Sequence, residues 1–89
     1  MTYAICLSRQ AKHALSEVLP ESVAAACYQF VYGDLASNPF QVGKQLDPPL
    51  YPRYSARRGD YRVIYRIENQ TVVVSVLTIH RRRDVCRRR

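Results

Sequence analysis

What this chain lacks narrows its class before any motif is considered. No apolar run approaches the ~20 residues of a membrane-spanning helix. The apolar residues near the N-terminus are interrupted by Arg9 and Lys12, so no secretory leader is expected. Cysteines are few and odd in number: Cys6, Cys27 and Cys86, without metal-ligand spacing. Cys6 and Cys27 sit in apolar runs and read as small core residues in a reducing compartment. Internal repeats and low-complexity linkers are also missing. A soluble cytoplasmic protein is the expectation, and 89 residues predict one domain, 1–89. At 47% apolar and 24% charged, the composition is too apolar for a disordered chain.

Lysine is scarce where positive charge is greatest. The net charge is +7, yet residues 1–52 hold only Arg9, Lys12 and Lys44 against four acidic side chains. Residues 53–89 hold eleven arginines against Asp60, Glu68 and Asp84. Guanidinium forks suit bidentate phosphate contacts better than ammonium groups do. That asymmetry points to a polyanion or an acidic protein partner.

Tyr3 to Leu7 has the apolar, β-branched and aromatic character of a first strand. Ser8 is placed to cap a helix whose buried stripe is Ala11, Leu15 and Val18. Pro20 stops that helix. Val23, Cys27, Phe30, Val31 and Leu35 keep the helical period of a second one, which Ser37-Asn38-Pro39 ends. Such a short connection makes an αα-hairpin. Val42 to Leu46 is a candidate strand carrying Lys44, Asp47-Pro48-Pro49 a turn, and Tyr51 to Ser55 an edge strand.

Two further strands are expected at residues 60–68 and 71–79, joined by a tight Asn69-Gln70 turn. That register sets Glu68 against Thr71, Arg66 against Val73 and Arg62 against Leu77. One face then carries Tyr61, Val63, Tyr65, Ile67, Val72, Val74 and Val76, apolar enough to lie under the helices. The other carries Arg62, Ile64, Arg66, Val73, Ser75 and Leu77 and is left open. Just past the last strand, His80-Arg81-Arg82-Arg83 returns beside the Arg57–Arg62 end of its partner. The predicted architecture is α+β: a small twisted antiparallel sheet with a helical hairpin on one face, in the order β-α-α-β-β-β, plus a basic tail ending in Arg87-Arg88-Arg89.

Of the remaining side chains, His80 is the one near the basic cluster whose type suits proton transfer close to neutrality. Lys44 is a phosphate contact or a solvated charge. Tyr54 is the best stacking candidate, whereas Tyr28, Tyr32, Tyr61 and Tyr65 read as packing residues. His13 reads as an exposed helix residue.

The element order, together with Phe30-Val31-Tyr32-Gly33-Asp34-Leu35, Asn38-Pro39, Val42-Gly43-Lys44-Gln45-Leu46, Tyr54-Ser55-Ala56-Arg57-Arg58-Gly59-Asp60-Tyr61-Arg62-Val63-Ile64-Tyr65 and Ile79-His80-Arg81-Arg82, resembles the RelE/ParE superfamily of toxins from bacterial type II toxin–antitoxin modules. The RelE branch is the nearer one. The resemblance implies a ribosome-dependent endonuclease that cuts mRNA in the decoding site, driving a ribose 2′-OH onto the adjacent phosphate without metal or cofactor. It also implies a RelB-like antitoxin partner, whose complex with the toxin represses its own operon. No membrane partner is implied.

Carried over by position, Arg62 matches the strand arginine that stabilises the transition-state phosphate. Arg53 and Arg57 match positions that hold the RNA backbone. Arg58, Lys44, Tyr54, Arg82 and Arg83 are further candidate RNA contacts by their chemistry and not by a matched position. Arg81, or His80 one residue away, matches the group that protonates the leaving 5′-oxygen; Arg81 is favoured. Two positions depart from the pattern. Ser55 stands where some members have a lysine base, and Cys86 where many have a C-terminal tyrosine. Serine is a poor base and cysteine has no ring to stack. Two other classes compete: a ParE-like inhibitor of DNA gyrase that cuts nothing, and a non-enzymatic basic module acting through its antitoxin or DNA.

Overall fold

The computed structural model describes residues 2–81. The sequence-expected contacts of Arg82, Arg83 and Cys86 lie outside those residues. The order is β1 (Ala4–Leu7), α1 (Arg9–His13) running into a π-helical segment (Ala14–Val18), α2 (Glu21–Phe30) running into a second one (Val31–Leu35), then β2 (Lys44–Gln45), β3 (Tyr54–Arg58), β4 (Tyr61–Glu68) and β5 (Val73–Arg81). The strands form one sheet in the order β1-β5-β4-β3-β2. As expected, the fold is α+β with a helical pair on one face. The antiparallel rule breaks at one place: β1 runs parallel to β5, so the sheet is mixed. The helical hairpin carries the chain from β1 at one edge to β2 at the other, and the β2–β5 meander then brings β5 back alongside β1.

Ser8 caps α1 as predicted, its Oγ accepting from the Ala11 amide at 3.0 Å. The apolar stripe differs from the expected one. Ala11 and Leu15 are buried, but Val18 is half exposed, and Ala14 and Leu19 take up the burial. The Leu19 amide donates to the Ala14 carbonyl at 2.9 Å, five residues back. This wider turn rotates Val18 outward relative to a 3.6-residue period. In α2 and its extension, Cys27, Phe30, Val31 and Leu35 are buried and Val23 packs beside them, as the period required.

These helices cover Tyr61, Val63 and Tyr65 of β4 and Val74, Val76 and Ile79 of β5, all buried. Burial pushes the Cys27 thiol up to about 11 and the Tyr61 and Tyr65 phenols up to about 12. Tyr65 donates to the Pro39 carbonyl at 2.8 Å. Cys6, expected in the core, is exposed instead, because β1 is a sheet edge and Cys6 points away from the helices.

The strand bounds shift too. β2 is only two residues long, and β3 starts at Tyr54 rather than Tyr51, since the proline-rich 47–52 stretch forms turns, with Leu50 and Tyr51 amides on the Asp47 carbonyl. Gly59, at φ +52°, makes the turn from β3 to β4. The hairpin between β4 and β5 is wider than a two-residue turn. Glu68 pairs with Val73 rather than Thr71, and Arg66 with Ser75 rather than Val73. Val72 occupies a left-handed φ of 57° in that connection. The pairing then slips once more, from Tyr65↔Val76 to Ile64↔Thr78, leaving Leu77 as a β-bulge.

Candidate nucleic-acid interface

The bulge decides what stands next to Arg62. An uninterrupted hairpin with the tight turn would set Leu77 there. The observed register sets His80 opposite Arg62 on β5, and Arg57 opposite Arg62 on β3. β4 is the middle strand of five, so a row Arg57–Arg62–His80 crosses the centre of the open face. The row spans roughly 10 Å, two inter-strand spacings. The adjacent row is Lys44–Ser55–Ile64–Thr78. Arg62 and Ser55 are half-buried, while Arg57, Lys44 and His80 are exposed.

Arginines directly opposite each other repel, at a cost of roughly 0.2–1 kcal/mol. Among the described residues no carboxylate lies within ion-pair distance of either guanidinium. Among the described residues Arg66 alone has a carboxylate within ion-pair distance, Glu68 at 3.8 Å. No described side chain therefore compensates the Arg57–Arg62 pair, whose charge an anion would neutralise.

An open cleft of about 540 Å³ lies over the β2–β3–β4 end of these rows, lined by Gln41, Val42, Gly43, Lys44, Leu46, Ser55, Arg57 and Arg62; His80 stands beside it across Arg62 and not in its wall. Its shape depends on Gly43. A Cβ there would overlap the Tyr65 hydroxyl oxygen and come 2.8 Å from the Ser55 carbonyl oxygen. Only a glycine lets this loop press against β3 and bring Lys44 into register with Ser55.

The structure therefore brings together Lys44, Ser55, Arg57, Arg62 and His80 of the residues expected from sequence. It separates four others. Arg81 is paired with Tyr61, a residue of the helix-covered face, so the strand alternation puts it on the opposite side of the sheet from Arg62. The favoured Arg62–Arg81 convergence is not met, and the alternative, His80, holds the place. Arg58 also belongs to the helix side: its guanidinium lies 4.7 Å from the Phe30 ring centroid and donates to the carbonyls of Arg57 and Val42. Tyr54 is stacked on Tyr65 at 5.6 Å and meets Phe40 edge-on at 6.0 Å, so its ring faces protein and not the open face. Arg53 is exposed and precedes β3, its carbonyl accepting from the Leu46 amide; it is not part of the cleft wall. Sequence patterning gives no hint of Thr78 beside Ile64, because the bulge that moves it there has no local signature.

Residues 28–85 match the family described as the ParE toxin of the type II toxin–antitoxin system parDE. The chain is 39% identical to the toxin RelG of Mycobacterium tuberculosis over 99% of this chain and 100% of that protein. It is 50% identical to the toxin RelE of the same organism over 72% of this chain and 66% of that one. Its fold matches a chain of the toxin–antitoxin complex RelBE2 from M. tuberculosis with a TM-score of 0.87 and 36% identity, covering 92% of this chain and 100% of that one.

Proposed function

Because the chain belongs to the RelE/ParE superfamily and is a toxin of the type II toxin–antitoxin kind, we propose that it is an endoribonuclease that cuts mRNA in the ribosomal A site and is neutralised by an antitoxin. What carries this reading is the Arg57–Arg62–His80 row: two guanidinium groups with no described carboxylate in ion-pair range, beside an imidazole on one open face.

In-line attack by a ribose 2′-OH forms a P–O2′ bond as its proton passes to solvent water, while the P–O5′ bond breaks. It leaves a 2′,3′-cyclic phosphate and a free 5′-hydroxyl. The equatorial phosphate oxygens gain charge in the transition state, and arginines held rigidly on a central strand supply preorganised compensation. Arg62 takes that part, with Arg57 gripping the flanking backbone and Lys44 a neighbouring phosphate. A guanidinium holds its proton too tightly to carry it. Imidazole gives up and regains one near neutrality, so His80 delivers the proton to the departing 5′-oxygen. Its register opposite Arg62 supports that assignment over Arg81. Ser55 offers a hydroxyl to the substrate from the next row.

The antitoxin is a RelB-like protein, as in the M. tuberculosis complex, and the pair acts in the cytoplasm. The ParE description of the matched family favours a second reading, inhibition of DNA gyrase without cutting. Primer extension on an mRNA translated with and without the purified chain separates the two. Discrete A-site ends that vanish on adding antitoxin support the nuclease. Blocked supercoiling with intact mRNA supports gyrase inhibition and removes the nuclease reading.

A further inference from the structure

β1 ends at Leu7, opposite Val76, whereas β5 continues to Arg81. Beyond Val76, one edge of β5 therefore has β4 and the other has no strand among the described residues. Unpaired backbone groups there would leave the end of β5 free to fray. The first turn of α1 meets this edge instead. The Ser8 hydroxyl donates to the Leu77 carbonyl at 2.6 Å, at the bulge. The Gln10 carboxamide then engages both backbone groups of Ile79. Its Oε1 accepts from the Ile79 amide at 3.1 Å, and its Nε2 donates to the Ile79 carbonyl at 3.5 Å.

A carboxamide carries one acceptor and one donor side by side, the same pair that a neighbouring peptide group presents to a strand. Gln10 thus continues the ladder where β1 stops. Ile79 is anchored from both sides, its side chain in the core and its backbone on Gln10. The next residue along is His80, which faces Arg62.

We propose that Gln10 is a positioning residue for His80, its carboxamide standing in for a missing strand and holding the imidazole in register opposite Arg62. That His80 moves a proton rests on the nuclease reading above; that Gln10 fixes its place does not. Gln10 touches no substrate and acts only through β5.

Two measurements on the full-length chain test this. In ¹⁵N-labelled protein, Gln10→Ala should speed exchange of the Ile79 amide about 5–10-fold, the loss of one hydrogen bond, and weaken cross-strand NOEs between Arg62 and His80. Gln10→Glu, which keeps the acceptor, should retain most of the Ile79 protection. In mRNA cleavage, Gln10→Ala should lower kcat about 10-fold with KM unchanged, as a small misplacement of a reacting group does. The same change in a His80→Ala background should add nothing. Unchanged Ile79 exchange and unchanged Arg62–His80 NOEs would overturn the proposal, as would an equal loss of rate in both backgrounds. Should the unaltered chain cut no RNA, the nuclease reading falls, and the exchange and NOE results alone decide the role of Gln10.

Discussion

At the scale of single residues, the proposed nuclease reading turns on the cross-strand partner of Arg62. His80 shares its face and Arg81 does not, so the two single variants should behave differently. Arg62→Ala should slow cleavage by about 10²–10³, the ~3–4 kcal/mol expected for one preorganised transition-state donor, with its melting temperature and antitoxin binding kept. His80→Ala should cost at least ~10²-fold, as loss of a general acid does. Arg81→Ala should leave single-turnover cleavage within a few-fold of the unaltered chain. A ranking with Arg81→Ala as the most damaging of the three would reverse the assignment of the proton donor. Arg58, although it sits next to Arg57 in sequence, is occupied by Phe30 and two carbonyls and belongs to the scaffold.

At the scale of elements, two short devices place the site. Ser8 both caps α1 and reaches the bulged Leu77 carbonyl. Ser8→Ala should therefore cost about 1–2 kcal/mol, a lost cap plus an orphaned acceptor, read as a lowered urea midpoint with the m-value unchanged. Gly43 is the second device. Gly43→Ala would drive a methyl group into the Tyr65 hydroxyl and the Ser55 carbonyl. It should destabilise the chain by roughly 1–3 kcal/mol, as overpacking does, and weaken RNA binding by displacing Lys44. A Gly43→Ala chain with normal stability and normal binding would mean that the loop can shift without harm.

Across the whole molecule, one apolar layer and one basic layer lie on opposite faces of a single sheet, and each predicts its own response to solvent. Cys27, Tyr61 and Tyr65 are buried, and their ionisation is pushed from 9.0 to about 11 and from 10.0 to about 12. The unfolded chain ionises first as pH rises, so it releases protons that the folded chain keeps. The stabilisation from these groups is complete below about pH 9 and is lost as pH climbs to about 12. The urea midpoint should thus be flat from neutrality to about pH 8.5 and then fall, and a midpoint that rises with alkali would contradict their burial. The basic layer should bind RNA with a steep salt dependence, because each phosphate contact releases counterions. Filter binding at low and high salt checks this, and an unchanged affinity would contradict phosphate recognition by the arginine row.

Much of this arrangement was written locally. Alternation in Tyr61–Ile67 marked which side of β4 is buried, the Ser8 cap and the spacing of Cys27, Phe30, Val31 and Leu35 marked the helices, and the arginine excess marked an anion. These follow from side-chain periodicity and charge, which neighbouring residues define among themselves. Register was not local. The π-helical turn that exposes Val18, the widened β4–β5 connection and the bulge at Leu77 arise where elements distant in sequence compete for the same hydrogen bonds and the same core volume. A shift of one residue along a strand swaps its faces. So the chain alone determined that basic groups gather on an open sheet, and only tertiary packing decided that His80, rather than Arg81, stands beside Arg62.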